Sequence, residues 1–276
     1  PPRSTLFPYT TLFRSFSEDL IFDHIQTENF GFAKRFPQLQ LFIMIQNYAA
    51  YTEEDFDIWK ILFEKQVKNL EGKVHPKYFE HLDALKSVLN ADKIPDFNEL
   101  NKVLETGQGW TIEVVPGLIP VKEFFYFLSV KRFCSSTWMR SRSQLEYLEE
   151  PDMFHDIFGH IPLLMNKEYS DFTVEIGRLG YKNWENEEIV KQLQRLYWYT
   201  IEFGLIKEND QTKIYGAGII SSYAESNHVF ESGVNRIPFD LKECMTRDFV
   251  IPEVQVDYYE INSFNQLYDT LSQLKL

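Results

Sequence analysis

Two histidines stand five residues apart in Asp152-Met-Phe-His155-Asp156-Ile-Phe-Gly159-His160-Ile-Pro162, an apolar stretch. Neutral imidazole is the commonest protein ligand for transition metals. A regular helix would set the two rings about 140° apart, on different faces. Gly159 is expected to end the helix and Pro162 to stop it continuing, which frees His160 to swing back toward His155. The alternative is two buried histidines, each bonded to backbone. The spacing is not the H-E-x-x-H of zinc proteases, whose rings share one helical face.

A third ligand is available in Glu202. Its neighbours Leu193, Leu196, Tyr197, Trp198, Ile201 and Phe203 make the segment apolar nearly all round, as in a buried helix. A buried carboxylate costs several kcal/mol unless it pairs with a cation, either a metal or a buried arginine. Two imidazoles and one carboxylate hold non-haem Fe(II) with positions left open for oxygen and substrate. Zinc would also bind such a triad but cannot change redox state. A second cluster, Tyr215-Gly-Ala-Gly218-Ile-Ile-Ser221-Ser222-Tyr223-Ala-Glu225, combines small residues with paired hydroxyls. It suits close backbone approach or a polar ligand group, and equally a plain tight turn.

These residues need a scaffold. Phe56, Trp59, Leu62, Phe63, Val67 and Leu70 fall on one helical face, opened by Thr52 and closed by Gly72. Further helices are expected over 75–89, 96–104, 121–130 and, at length, 185–206. Strands are expected over 110–115, 213–220 and 254–259, with a turn at Pro116, Gly117 and Pro120. No Gly/Ser/Pro-rich linker divides the chain and no repeat period appears. The pattern predicts one mainly α domain with small β elements.

Composition narrows the function. The chain has 276 residues, 44% hydrophobic and 16% aromatic, with a formal net charge of −13. So acidic a chain repels phosphate backbones and anionic lipid, which argues against nucleic acid and membrane surfaces as partners. Two cysteines, Cys134 and Cys244, make no disulfide framework and suit a cytoplasmic protein. No apolar run approaches the roughly 18 residues of a membrane span, Leu41–Ile45 and Gly218–Ile220 being far shorter. Residues 1–15, PPRSTLFPYTTLFRS, repeat Thr-Leu-Phe and carry no acid, so they are expected to be a non-native, adapter-like segment.

Five segments occur in one order: Val115-Pro-Gly-Leu-Ile-Pro120; Thr137-Trp-Met-Arg140; Glu150-Pro-Asp-Met-Phe-His155-Asp-Ile-Phe-Gly-His160-Ile-Pro-Leu; Leu196-Tyr-Trp-Tyr-Thr-Ile-Glu202-Phe-Gly-Leu; and Tyr215-Gly-Ala-Gly-Ile-Ile-Ser-Ser222. Together they resemble the pterin-dependent aromatic amino acid hydroxylases, most nearly the compact bacterial phenylalanine 4-hydroxylases, from about Gln46 to the C-terminus. The resemblance implies a single catalytic domain over residues 16–276 and a monooxygenase that converts L-phenylalanine to L-tyrosine with O₂, Fe(II) and a tetrahydropterin. It implies iron on His155, His160 and Glu202. It implies substrate binding by Arg140, which pairs the amino-acid carboxylate, by Asp152, which holds that arginine, and by Trp198, Phe203, Gly218, Ser221 and Ser222. It places Gly117, Leu118, Ile119, Phe124, Asp156 and Tyr197 around the pterin.

There are departures. Leu148-Glu149 stands before Glu150-Pro151 where the animal enzymes have Thr-Pro, and Cys134 replaces a histidine that those enzymes place near pterin. Neither a regulatory domain nor the extended tetramerisation helix is expected, and so a monomer is. The alternatives are tryptophan or tyrosine as substrate on the same scaffold, a zinc hydrolase on the same triad, and a non-catalytic binding module. Removal of residues 1–15 is expected to leave turnover unchanged, as compared by specific activity of the trimmed and full chains.

Overall fold

The computed structural model describes residues 44–145, 150–249, 255–272 and 274. Residues 1–15, the Leu41–Ile43 part of the apolar run, Leu148-Glu149 and Val254 therefore lie outside the described residues.

Among the described residues a short turn at Tyr48–Ala50 precedes α1 (Glu53–Leu70), α2 (Pro76–Ala84) and α3 (Phe97–Gly107). Thr52 caps α1 in a reciprocal box with Asp55, and Gly72 follows its end with φ +74°. The second helix is shorter than expected: from Leu85 to Leu89 the chain closes in tight turns. A parallel β-α-β unit comes next, made of β1 (Thr111–Val114), α4 (Val121–Ser129) and β2 (Arg132–Ser135), with Ile112 opposite Phe133.

The central segment departs most from expectation. Gly159 does not end a helix. His155–His160 forms a π-helical turn that runs straight into α5 (Ile161–Leu164), with Pro162 in its first turn, where a missing N–H costs nothing. A helix not foreseen, α6 (Lys167–Lys182), packs on α4 through Gly177 and Gly180. A Cβ on Gly177 would stand 2.5 Å from the Ser129 backbone nitrogen, and one on Gly180 2.3 Å from the Phe125 ring.

The expected helix over 185–206 is three things. It is α7 (Glu187–Tyr197), a second π-helical turn at Trp198–Glu202 and then strand β3 (Leu205–Glu208). Asn209 and Asp210, both at positive φ, turn β3 into β4 (Gln211–Ile214), the two-residue geometry that matches strand twist. The run Gly218–Ile220 is not strand but lies inside α8 (Ala217–Ser221), since a short buried apolar run reads alike as either. Next come α9 (Tyr223–His228), β5 (Asn235–Pro238), α10 (Leu241–Thr246), β6 (Asp257–Ile261) and α11 (Phe264–Leu271).

The second sheet has the order β4-β3-β6-β5, with β6 parallel to both β3 and β5. Helices predominate, as the sequence predicts. Among the described residues, no helix is long and apolar enough to cross a membrane.

Gly177→Ala forces the α4 backbone away from α6. Unfolding in urea is expected to show a loss of about 1–3 kcal/mol, net of the small gain in helix propensity.

Candidate metal centre and cofactor cleft

All three candidate ligands sit on the two π-helical turns. Widening a helix to i→i+5 bonding brings residues five apart onto one face, which a regular helix forbids. His155 and His160, the ends of the first turn, thereby face each other with Nε2 atoms 3.2 Å apart. In the second turn the Phe203 N–H donates to the Trp198 carbonyl at 2.9 Å, five residues back, and Glu202 projects toward both rings. Glu202 Oε1 lies 3.3 Å from His160 Nε2 and Oε2 lies 3.7 Å from His155 Nε2. One ligand atom from each of the three falls within 4.8 Å of the others, and all three side chains are buried.

Protonation follows from the surroundings. Ser221 Oγ donates to the Ala217 carbonyl (2.9 Å), so its lone pairs receive Nδ1–H of His155 (2.8 Å). That fixes the tautomer and turns the bare Nε2 toward Glu202. Burial, then His160 and Arg140, hold His155 well below the usual histidine range, so it is neutral. Glu202 Oε2 and His160 Nδ1 have no hydrogen-bond partner among the described residues. The arginine that might have paired Glu202 is committed elsewhere: Arg140 forms a two-point ion pair with Asp152 (2.8 and 2.9 Å). A buried carboxylate facing two imidazoles, one fixed in its neutral tautomer, fits a divalent cation.

The small-residue cluster explains how the two turns meet. A Cβ on Gly159 would stand 2.9 Å from the Ala217 carbonyl, and one on Gly216 2.4 Å from that of Glu202. The Tyr215–Gly218 stretch thus fits between the turns, each approached to backbone distance. The close approach expected there is made to the backbone of the turns that carry the candidate ligands.

Asp152 does two jobs. Besides holding Arg140, it accepts the backbone N–H of His155 at 3.1 Å, at the start of the turn that carries the two candidate histidines. Gly117, Leu118, Ile119, Phe124, Asp156 and Tyr197 all line one cleft together with His155, His160 and Glu202. Phe124 meets Tyr197 edge to face at 5.3 Å. Asp156 accepts the Ser136 N–H at 3.0 Å, and its burial pushes the carboxyl well above the usual carboxylate range.

The residues expected around the substrate divide. Arg140, Ser221 and Ser222 line a second cavity, with Lys65, Gln66 and Tyr223. Asp152 is buried behind Arg140. Trp198, Phe203 and Gly218 line neither cavity: Gly218 lies against Phe203, and Trp198 packs between Phe203 and Phe249. Sequence reasoning missed Phe133, whose ring lies 4.7 Å from that of His160, and Ser136 and Trp138 in the cleft wall. The alternation of Phe133 and Ser135 against Arg132 and Cys134 is the strand signal that points to this wall.

Comparison with known proteins agrees with this geometry. The family model for biopterin-dependent aromatic amino acid hydroxylases matches residues 36–275. The chain belongs to this family. It is 43% identical over 229 residues to the phenylalanine-4-hydroxylase of Chromobacterium violaceum, covering 83% of this chain and 76% of that one. It is 42% identical to that of Ralstonia nicotianae, covering 83% and 72%. The solved structure of the Chromobacterium violaceum enzyme with bound iron(III) and oxidised 7,8-dihydrobiopterin superposes with a TM-score of 0.80 at 42% identity, covering 83% of this chain and 82% of that chain. This hydroxylase is accordingly an iron- and tetrahydropterin-dependent enzyme.

Ser221→Ala deletes the acceptor that orients His155. Fe(II) titration is expected to show affinity about 10- to 100-fold weaker, with the fold intact by circular dichroism.

Proposed function

We propose that this hydroxylase converts L-phenylalanine to L-tyrosine, with His155, His160 and Glu202 as its metal ligands. The observation that carries the reading is the triad itself: a buried carboxylate, facing two imidazoles, opens on an aromatic cleft. Both the Chromobacterium violaceum and the Ralstonia nicotianae relatives are phenylalanine-4-hydroxylases.

When bound, iron and tetrahydropterin supply the reductive activation of O₂ needed to hydroxylate an aromatic ring. The chain's own work is binding, orientation and exclusion of water. Arg140 presents its guanidinium to the amino-acid carboxylate, a planar two-point task that lysine performs less well. Asp152 holds that guanidinium and, through the His155 N–H, the iron-bearing turn. Ser221 sets the His155 tautomer. Trp198 and Phe203, in contact with each other, wall the ring site, with Gly218 against Phe203, and Ser222 supplies a hydroxyl at the amino-acid end. Gly117, Leu118, Ile119, Phe124, Asp156 and Tyr197, which line the cleft with the triad, would hold the pterin. The cleft is largely aromatic and aliphatic, which keeps water from the reacting atoms.

The reading extends to the rest of the chain. Residues 16–276 are proposed as the catalytic unit, with residues 1–15 contributing nothing to catalysis. A monomer acting in the cytoplasm is proposed, the latter supported by two unpaired thiols, Cys134 and Cys244.

Purified chain supplied with Fe(II), a tetrahydropterin and O₂ is expected to form tyrosine from L-phenylalanine faster than it turns over L-tryptophan or L-tyrosine. Glu202→Ala is expected to abolish product and to lower bound iron to background by metal analysis. Tyrosine formation at the parental rate by that variant would overturn the ligand assignment.

A further inference from the structure

Trp198 is held by more than its stacking. Its indole Nε1–H donates to Gln255 Oε1 at 3.3 Å, in buried surroundings. The ring lies parallel to Phe249, 4.4 Å between centroids and 9° between planes, and tilted by 34° against Phe203 at 4.4 Å. Stacking permits a ring to slide in its own plane, whereas a hydrogen bond at its edge fixes it there.

Gln255 is itself held from one helix. The Glu225 carboxylate, fully buried on α9, accepts the Gln255 backbone N–H and the Tyr258 hydroxyl. One turn further along α9, His228 Nε2 lies 3.1 Å from the Gln255 carbonyl. Both backbone polar groups of Gln255 are thus tied to α9, and its side chain carries that placement to the indole. The N-cap of α9 is Ser222, which directly follows α8 and the Ser221 that orients His155. A single stretch of chain therefore registers a histidine of the metal centre and, through Gln255, the indole beside Phe203.

We propose that Gln255 is a positioning residue that sets ring specificity by fixing Trp198, with Glu225 and His228 as its supports. A fixed indole admits a six-membered ring in one orientation. An indole free to slide enlarges the site and admits larger rings. The proposal rests on the reading of Trp198 as a wall of the ring site, and the test separates the two.

The measurement is the ratio of kcat/KM for L-phenylalanine over L-tryptophan, together with tyrosine formed per tetrahydropterin oxidised. It is made on iron-loaded Gln255→Leu, Trp198→Phe and the double variant. Gln255→Leu is expected to lower the ratio about fivefold, the effect of one buried hydrogen bond, and to lower the coupling of pterin oxidation to product. Trp198→Phe removes the donor, so adding Gln255→Leu to it is expected to change neither quantity further. Gln255→Glu, which keeps an acceptor at the same reach, is expected to restore most of the ratio and guards against a variant that simply misfolds.

If Trp198→Phe shifts the ratio but Gln255→Leu does not, or if the two effects add, Gln255 positions nothing and the inference fails while the wall remains. If neither single variant shifts it, Trp198 is no wall and both readings fall.

Discussion

A carboxylate withdrawn from water must be neutralised where it stands, and much of this molecule follows from doing so for Glu202. It lies with two imidazoles inside a core, and Arg140, the buried arginine among the described residues, is taken by Asp152. Burial keeps His155 from supplying the missing charge by protonation. A cation of the right softness is what remains, and the three side chains must be delivered to one point to hold it. Each deviation from regular helix in this region serves that delivery. The wide turns bring the three candidate ligands round, and the glycines of the Tyr215–Gly218 stretch let the turns close on one another.

The same economy governs the surrounding polar groups. Ser221 answers both the α8 carbonyl behind it and the His155 ring in front. Asp152 serves a guanidinium and a backbone amide at once. Buried polar atoms that share partners in this way couple the parts that share them. Rigidity at the metal is therefore distributed over several segments of sequence.

Much of this was legible from residue types alone. The apolar setting of His155, His160 and Glu202 singled them out as candidate ligands, and the mainly helical class followed from periodicity. The conformation that unites the histidines was not legible. A spacing of five is off-face in any regular helix, and Gly159 read as a stop signal when its role is to admit Ala217. Nor was α6, whose Gly177 and Gly180 lower helix propensity yet allow α4 to sit close. The overrun of α7 into β3 has a like cause: Leu205 and Ile206 continue an apolar pattern that strand and helix share, and only the Asn209-Asp210 turn distinguishes them. Arg140 and Ser222 were placed by resemblance, and their common cavity with Lys65 and Tyr223 emerges only in three dimensions.

The double duty of Asp152 bears on how such a scaffold diversifies. One residue joins the group that would grip the amino-acid end of the ligand to the turn that carries the metal. A lineage cannot relax the first without disturbing the second, so the amino-acid end is locked against drift. The aromatic walls are tied differently: the Trp198 indole is held by the Gln255 side chain and by the rings of Phe203 and Phe249, none of which bears on the turn held by Asp152. A new ring system therefore asks for a change in the indole and its support together, while the grip on the common backbone of every amino acid is left as it was.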